Sequence, residues 1–293
     1  MRVLPKVRLP FHKITKWCYD GAEHMKILFI LIFITAFSLK AELLNTHLSG
    51  TFSQGGLVYG QATSPLSNVT IDGVKIPIHP NGTLFVFGFG VDAKAESELI
   101  VVYKNGDVET KTLLVSQREY KIDRVNGVAS KYVSPPASVL ERIKNDSALV
   151  KAAREKMSFR TDFLEPTIRP AEGRISGVYG SRRVFNGVPK RPHFGLDIAA
   201  VTGTKVVAPW SGKVVLAEPD LYYSGGTLII DHGLGVTSTY IHLSKLTVKT
   251  GDTINQGEKI AEIGATGRVT GPHLDWRLNW FNRRLDPQFL LEN

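Results

Sequence analysis

The chain has 293 residues, of which 43% are apolar and 22% charged, with a formal net charge of +9 and a single cysteine. That length and apolar share suit two modest domains with buried cores and exclude a disordered chain. Residues 1–41 hold seven Lys/Arg and two acids, so the remainder carries 29 basic against 25 acidic residues, an excess of +4; this suits an anionic polymer or membrane surface but is too weak for nucleic acid.

Residues 1–24 form a basic extension that contains the lone thiol, Cys18. From Met25 the text reads MKILFILIFITAFSLKAE, with a Lys, an apolar run over 27–39 and a small-residue pattern, Leu39-Lys40-Ala41, before Glu42. The thirteen apolar residues fall short of the roughly 20 that span a bilayer, so a secretory signal is expected, with Met25 a second candidate start. The chain is then expected in the periplasm or cell envelope. Its mature form would hold no thiol, which excludes disulfides and cysteine-ligated metal.

Over 48–120, β-type runs such as GLVYGQA, NVTIDGVKIPI, LFVFGFG and ELIVVYKNGDVETKTLLV alternate with the turn dipeptides Asp72-Gly73, Asn81-Gly82 and Asn105-Gly106. Six or so strands are expected, as a small antiparallel sandwich in an accessory β-domain at 42–130. His47 and His79 stand alone there and read as surface or structural. A linker at 131–170 follows. It has Pro135-Pro136, Ser138 as a helix N-cap, and apolar positions at Val139, Leu140, Ile143, Leu149, Ala152 and Ala153, which predict one or two amphipathic helices packed as a spacer. From Gly173 strands and glycine turns return without a helical period, so 171–293 is expected to be all-β and barrel-like.

The residues able to carry chemistry lie in this last part. In RPHFGLDIA, an extended backbone sends His193, Gly195 and Asp197 one way and Phe194, Leu196 and Ile198 the other, with Gly195 leaving room between the polar groups. Imidazole and carboxylate are suitable zinc ligands, yet the spacing alone favours a structural ion pair. TYIHLSKL places His242 at the end of a β-branched run, with Tyr240 expected on the same face. GPHLDWRLNW places His273 and Asp275 on one face of a strand, and hairpins between these two stretches allow His242 to fold back beside His273. His232 sits at a strand end before a glycine turn and reads as structural; Trp276, Trp280 and Phe281 read as core or cap.

Residues 174–288 resemble the lysostaphin-type zinc peptidases, the M23 or LytM family of peptidoglycan hydrolases, through the ordered set YGSRR, HFGLDIAA, GTKVVAP, SGKVV, GGTLIIDHG, TYIHLSKL, GDTINQGEKIAEIGATG and TGPHLDW. The resemblance implies a mainly β fold: an N-terminal β-sandwich, a helical linker and a C-terminal lysostaphin-type barrel or sandwich built as a duplicated hybrid motif. It implies one Zn²⁺ ion held by His193, Asp197 and the residue in the position of Asp275, where the family has a second His. It assigns catalysis to His242 and His273, and places Arg182, in YGSRR, beside the substrate groove.

The Asp at 275 is a departure from the family pattern. Either Asp275 binds the metal, or His273 does so and Asp275 supports it. A second carboxylate ligand would lower the formal site charge from +1 to 0 and move activity to more alkaline pH. The implied activity is hydrolysis of peptide cross-links in peptidoglycan, with stem peptides as partner, no nucleic acid, and transient association with the inner membrane. The alternative is an inactive domain of the same fold that binds peptidoglycan or activates a partner amidase. Four of five positions are kept and the fifth is still a ligand type, which favours the enzyme.

Overall fold

The computed structural model describes residues 46–291, so the expected signal segment and basic extension lie outside the described residues. Period-2 burial sets the first elements. In β6 (Glu96–Tyr103) Ser97, Leu99, Val101 and Tyr103 are buried while Glu96 and Glu98 are exposed. Before it come β1 (Thr46–Gly50), β2 (Leu57–Ala62), β3 (Leu66–Ile71), β4 (Val74–Lys75) and β5 (Leu84–Gly88), and after it β7 (Val108–Leu114). They form two antiparallel sheets, β1-β2-β5 and β4-β3-β6-β7. The turn between β3 and β4 has Asp72 and Gly73 at φ +51° and +76°, the left-handed pair that a two-residue hairpin requires. Thr46 Oγ1 donates to Tyr103 OH (2.8 Å), which donates to Glu109 Oε2 (2.9 Å), tying one sheet to the other.

The chain leaves these sheets through β8 (Ile122–Val125) and makes a helical turn, Ser130–Val133, before the linker helix Leu140–Glu155. Val139, not Ser138, occupies the N-cap, and no side chain caps it, because Ser138 is taken up in the 3-10 turn Ala137–Val139 that leads into the helix. The expected apolar stripe is also reduced. Leu140 and Leu149 are 54% and 47% exposed, while Val150 and Ala153 pack on Val215, Leu216, Leu221 and Ile229. Only the C-terminal half lies close enough to bury side chains; the N-terminal half is held by Arg142 to Asp220 (2.8 Å) and by the Tyr222 N–H donating to Asp146 (2.7 Å).

The remaining strands are β9 (Arg174–Gly177), β10 (Arg182–Phe185), β11 (Val188–Pro189), β12 (Leu196–Ala199), β13 (Lys205–Val207), β14 (Gly212–Leu221), β15 (Gly225–Gly233), β16 (Val236–Leu246), β17 (Thr253–Ile254), β18 (Lys259–Ile263), β19 (His273–Trp280) and β20 (Arg283–Leu285). The main sheet runs β17-β14-β15-β16-β19-β12-β9, with β20 on β19 and the β13–β18 pair joined through β16. Its end strands β17 and β9 each pair on one side only, so the sheet stays open, and of the barrel or sandwich expected the closed barrel is not formed. One face buries Leu196, Ile198, Leu228, Ile230, Tyr240, Leu274 and Trp276 in a continuous core. Each large apolar side chain removed from water there contributes about 1.5–3 kcal/mol.

Contacts that hold the accessory sheets to this part of the chain include Arg283 donating to the Gly88 carbonyl (2.8 Å), the Asp286 N–H donating to the Gly55 carbonyl (2.8 Å), and Arg118 pairing with buried Asp286 (2.7 Å). In addition β8 pairs in parallel with β10, which carries β11 on its other edge, so the exit from the accessory region becomes a wall of the second region.

Candidate active site

Pairing of β12 with β19 sets Asp197 opposite Asp275. Opposed residues of an antiparallel pair share a face, so both carboxylates leave the sheet on the side away from the Leu196–Trp276 core. His193 stands in the loop before β12, fixed by its N–H to the Ser181 carbonyl and by the Gly180 N–H to its own carbonyl, both 2.8 Å. Its Nε2 lies 3.1 Å from Asp197 Oδ1, and its Nδ1 3.9 Å from Asp275 Oδ2. All three residues are buried, and their ligand atoms lie within 4.8 Å of one another.

His193 Nε2 and Asp197 Oδ1 face each other without hydrogen-bond geometry, and neither has any other partner. Leaving such a buried group unsatisfied costs about 1–3 kcal/mol. An imidazole nitrogen and a carboxylate oxygen so placed fit a divalent cation. The backbone has been cleared for them. A Cβ at Gly195 would meet Asp275 Oδ1 at 2.2 Å, and one at Gly177 would meet Asp197 Oδ2 at 2.3 Å.

Each carboxylate also holds an arginine. Arg183 donates to Asp197 Oδ2 (2.6 Å), and Arg277 forks onto Asp275, Nε to Oδ1 at 2.9 Å and Nη2 to Oδ2 at 2.6 Å. Burial pushes the Asp275 carboxyl up, but Arg277 and then His193 outweigh it and hold the group well below the usual carboxylate range. Burial and the charge of Asp275 likewise push Asp197 up, and His193 with Arg183 brings it below its ordinary value. Arg183, not its neighbour Arg182, turns to the carboxylates; Arg182 is exposed, and its N–H donates to the Lys121 carbonyl (2.8 Å). Neither arginine partnership was anticipated. The Asp-x-Arg spacing of 275 and 277 was the available signal, since i and i+2 share a strand face.

His242 reaches the site by a different route from the one its spacing suggests. Tyr240 pairs with Leu228 and Leu243 with Gly226, so β16 carries an extra residue at this point, a β-bulge. His242 takes the left-handed conformation there, φ +67°, at a cost of roughly 1–2 kcal/mol for a side-chain-bearing residue. The bulge separates it from Tyr240, which lies in the core, so the two do not share a face. Instead the His242 ring lies 4.9 Å from that of His273. Its Nδ1–H donates to the Thr266 carbonyl (2.8 Å). Burial, aided by His273 and Arg277 and opposed by Asp275, pushes its pKa down to about 3. The His273 Nδ1–H donates to the Gly271 carbonyl (2.9 Å), and its Nε2 lies 3.9 Å from Asp197 Oδ1. In the neutral form of each ring these donations leave Nε2 as the nitrogen with the lone pair.

A groove of about 400 Å³ opens at Asp197, Arg183 and His273, lined also by β8, Phe185 and Arg268–Thr270. His232 stays outside it. Its Nδ1–H donates to the Ser211 carbonyl, and its Nε2 meets the Ser238 hydroxyl, both at 2.7 Å. Trp276 and Trp280 are buried, at 0% and 5% exposure.

Residues 191–287 match the family model Peptidase family M23. They form an M23 peptidase domain. The chain is 28% identical over 244 residues to the peptidoglycan DD-endopeptidase ShyB of Vibrio cholerae, covering 83% of this chain and 52% of that relative. It is 42% identical over 107 residues to the peptidoglycan DD-endopeptidase ShyA of the same organism, covering 36% of this chain and 24% of ShyA. The chain thus spans about half the length of ShyB and about a quarter of ShyA. A crystal structure described as a peptidase M23 from Pseudomonas aeruginosa superposes with a TM-score of 0.63 at 27% identity, covering 85% of this chain and 97% of that one. Coverage of that extent takes in the accessory sheets as well as the M23 domain.

Proposed function

We propose that this protein is an exported, zinc-dependent endopeptidase that hydrolyses peptide cross-links of peptidoglycan. The observation that carries the proposal is the buried pair of His193 Nε2 and Asp197 Oδ1, 3.1 Å apart and without another hydrogen-bond partner, with the His273 ring beside it and His242 against that ring. The relatives support the substrate class, since ShyA and ShyB are named for peptidoglycan DD-endopeptidase activity.

His193, Asp197 and Asp275 would hold the ion. When bound, zinc supplies Lewis acidity toward an amide carbonyl and lowers the pKa of water near it toward neutrality. Arg183 and Arg277 keep the two carboxylates ionised and fixed in place. His242 enters the reaction neutral, because burial makes protonation costly. Its Nε2 lone pair is placed to accept a hydrogen bond or a proton from the attacking water. His273, half-buried at the groove, takes at Nε2 the proton that the attacking water gives up and passes it to the departing amine, a role worth typically about 10²–10⁴-fold. The groove orients an extended peptide past Asp197 and His273.

The test is metal analysis of the purified protein together with release of peptides from isolated cell walls, for the natural chain and His193→Ala. About one zinc per chain and peptide release, both lost in the variant, are expected. Release that persists in His193→Ala or in metal-free protein refutes the proposal, and binding to cell walls without release would identify an inactive domain.

A further inference from the structure

Three guanidiniums converge on the site face of the main sheet: Arg277 on β19, Arg284 on β20 and Arg154 in the last turn of the linker helix. They line a cavity of about 230 Å³ between that helix and β16. The cavity adjoins the metal centre. Thr239, in its wall, pairs with Arg277, and Ile241 pairs with Asp275, a step of two residues or roughly 7 Å along the strand.

The positive charge there is in excess, three guanidiniums against the single carboxylate of Asp146 in the lining. Arg277 is matched by Asp275. Arg284 donates to Asn279 Oδ1 (2.7 Å), a neutral acceptor. Arg154 is only 5% exposed, its Nε has no partner, and its guanidinium meets no carboxylate or carbonyl among the described residues. The helix C-terminus lends partial negative charge nearby, yet no carbonyl of its last turn accepts from the side chain. The acidic residues are committed elsewhere: Asp146, itself in the cavity wall, to the Tyr222 N–H (2.7 Å) and Arg142 (4.0 Å), and Glu155 to Asn282 (3.1 Å) and Lys151 (3.7 Å). Burial, with repulsion from Arg284 and Arg277, pulls the pKa of Arg154 well down; burial, with repulsion from Arg277 and against the pull of Asp275, takes that of Arg284 to about 9. One hydroxyl faces the same space with a proton to give, because Thr239 Oγ1 accepts from Asn279; the Ser224 hydroxyl is spent on Thr227, whose own proton goes to the Gly225 carbonyl.

We infer that this cavity binds a small oxyanion, with Arg154 and Arg284 as its charged ligands and Arg277 linking it to Asp275. Forked guanidinium donors match the paired oxygens of a carboxylate, sulfate or phosphate. The oxyanion has two possible sources: a free carboxylate on the peptide substrate, lying one or two residues from the scissile bond, or an inorganic anion. The site itself stands without the peptidase proposal; only the choice of the substrate as source rests on that reading.

The first experiment titrates sodium sulfate against sodium chloride at constant ionic strength, read by calorimetry and thermal unfolding, on the natural chain and on Arg154→Met. Saturable sulfate binding is expected, weakened at least tenfold in the variant. Absence of saturable binding to the natural chain, or equal affinity in Arg154→Met, overturns the inference. Should that variant not fold, Arg284→Lys is read in its place. The second experiment measures KM for a cross-linked peptide with a free carboxylate and for its amide, with and without sulfate. A KM raised by sulfate for the free acid alone assigns the site to the substrate, and a KM unmoved for both assigns it to a free anion. Failure to hydrolyse either peptide tells against the peptidase proposal and leaves the sulfate result standing.

Discussion

Replacing Arg277 with Met strips both hydrogen bonds, at 2.9 and 2.6 Å, from a carboxylate that is 1% exposed. Removing one partner of a buried ion pair costs about 3–5 kcal/mol, because the other charge stays buried without its counterion. Arg277 also repels Arg154 and Arg284, and relief of that repulsion offsets part of the loss, so about 3 kcal/mol is expected. At about 2–4 °C per kcal/mol for a chain of this size, the melting temperature should fall by about 6–12 °C. The assay is urea unfolding of the metal-free protein at pH 8 and pH 5, followed by fluorescence of the buried Trp210, Trp276 and Trp280. The pH dependence separates a charge effect from a packing effect. Without Arg277, burial dominates and the folded-state pKa of Asp275 rises above its unfolded value. A carboxyl so raised takes up a proton on folding, so stability increases as pH falls through the raised value. The difference from the natural protein should therefore be smaller at pH 5 than at pH 8. Asp275→Asn combined with Arg277→Met should recover most of the loss, giving the coupling directly. A loss under about 1 kcal/mol at pH 8, or one that does not shrink on acidification, would refute the pairing as the source of stability.

Gly195→Ala places a Cβ 2.2 Å from Asp275 Oδ1, so the carboxylate must move; a stability loss of about 1–3 kcal/mol with reduced metal binding is expected, measured by urea unfolding and zinc titration. His242→Asn should fold, because Asn tolerates the left-handed backbone at φ +67°, while turnover falls about 10²–10⁴-fold; an unchanged kcat removes His242 from the chemistry. His232 is buried, with its pKa pushed down to about 4, so the folded state resists protonation that the unfolded chain accepts near its ordinary 6.5. Its contribution is present above the unfolded value and lost on acidification, about 2 kcal/mol between pH 7.5 and 5, and the stability–pH curve of His232→Gln should be flatter by that amount.

Strand alternation and glycine turns were legible because burial on one face imposes a period of two, and Asp197, His273 and Asp275 lie on the face that this period assigns. The helix was legible as an element but not in its contacts, since Leu140 and Leu149 obey the pattern in sequence while the sheet beneath reaches only as far as Val150 and Ala153. His242 defeated the period for a local reason. One extra residue in β16 reverses the facing of all that follows, and a left-handed histidine gives no signal in composition or spacing. Arg183 and Arg154 were illegible for another reason, because their partners are distant in sequence or absent, and only the fold brings Arg183 to Asp197 and Arg154 to Arg284.

The arginines also change what Asp275 means for the reaction. Taken as a bare carboxylate in a position where the resemblance calls for an imidazole, it lowers the formal charge of the ligand set by one unit and so favours alkaline activity. The structure attaches a guanidinium to that carboxylate at 2.6 Å, and an Asp–Arg pair is as neutral in sum as the imidazole it replaces. The charge felt by a nucleophile near the centre is then restored, and the basis for an alkaline shift disappears. It follows that Asp275→His by itself is a poor mimic of the family pattern, because it leaves Arg277 beside Arg154 and Arg284 with no carboxylate among them. Only Asp275→His combined with Arg277→Met changes the ligand while keeping the charge, and comparing the two variants separates what the third position contributes as a ligand from what it contributes as a charge.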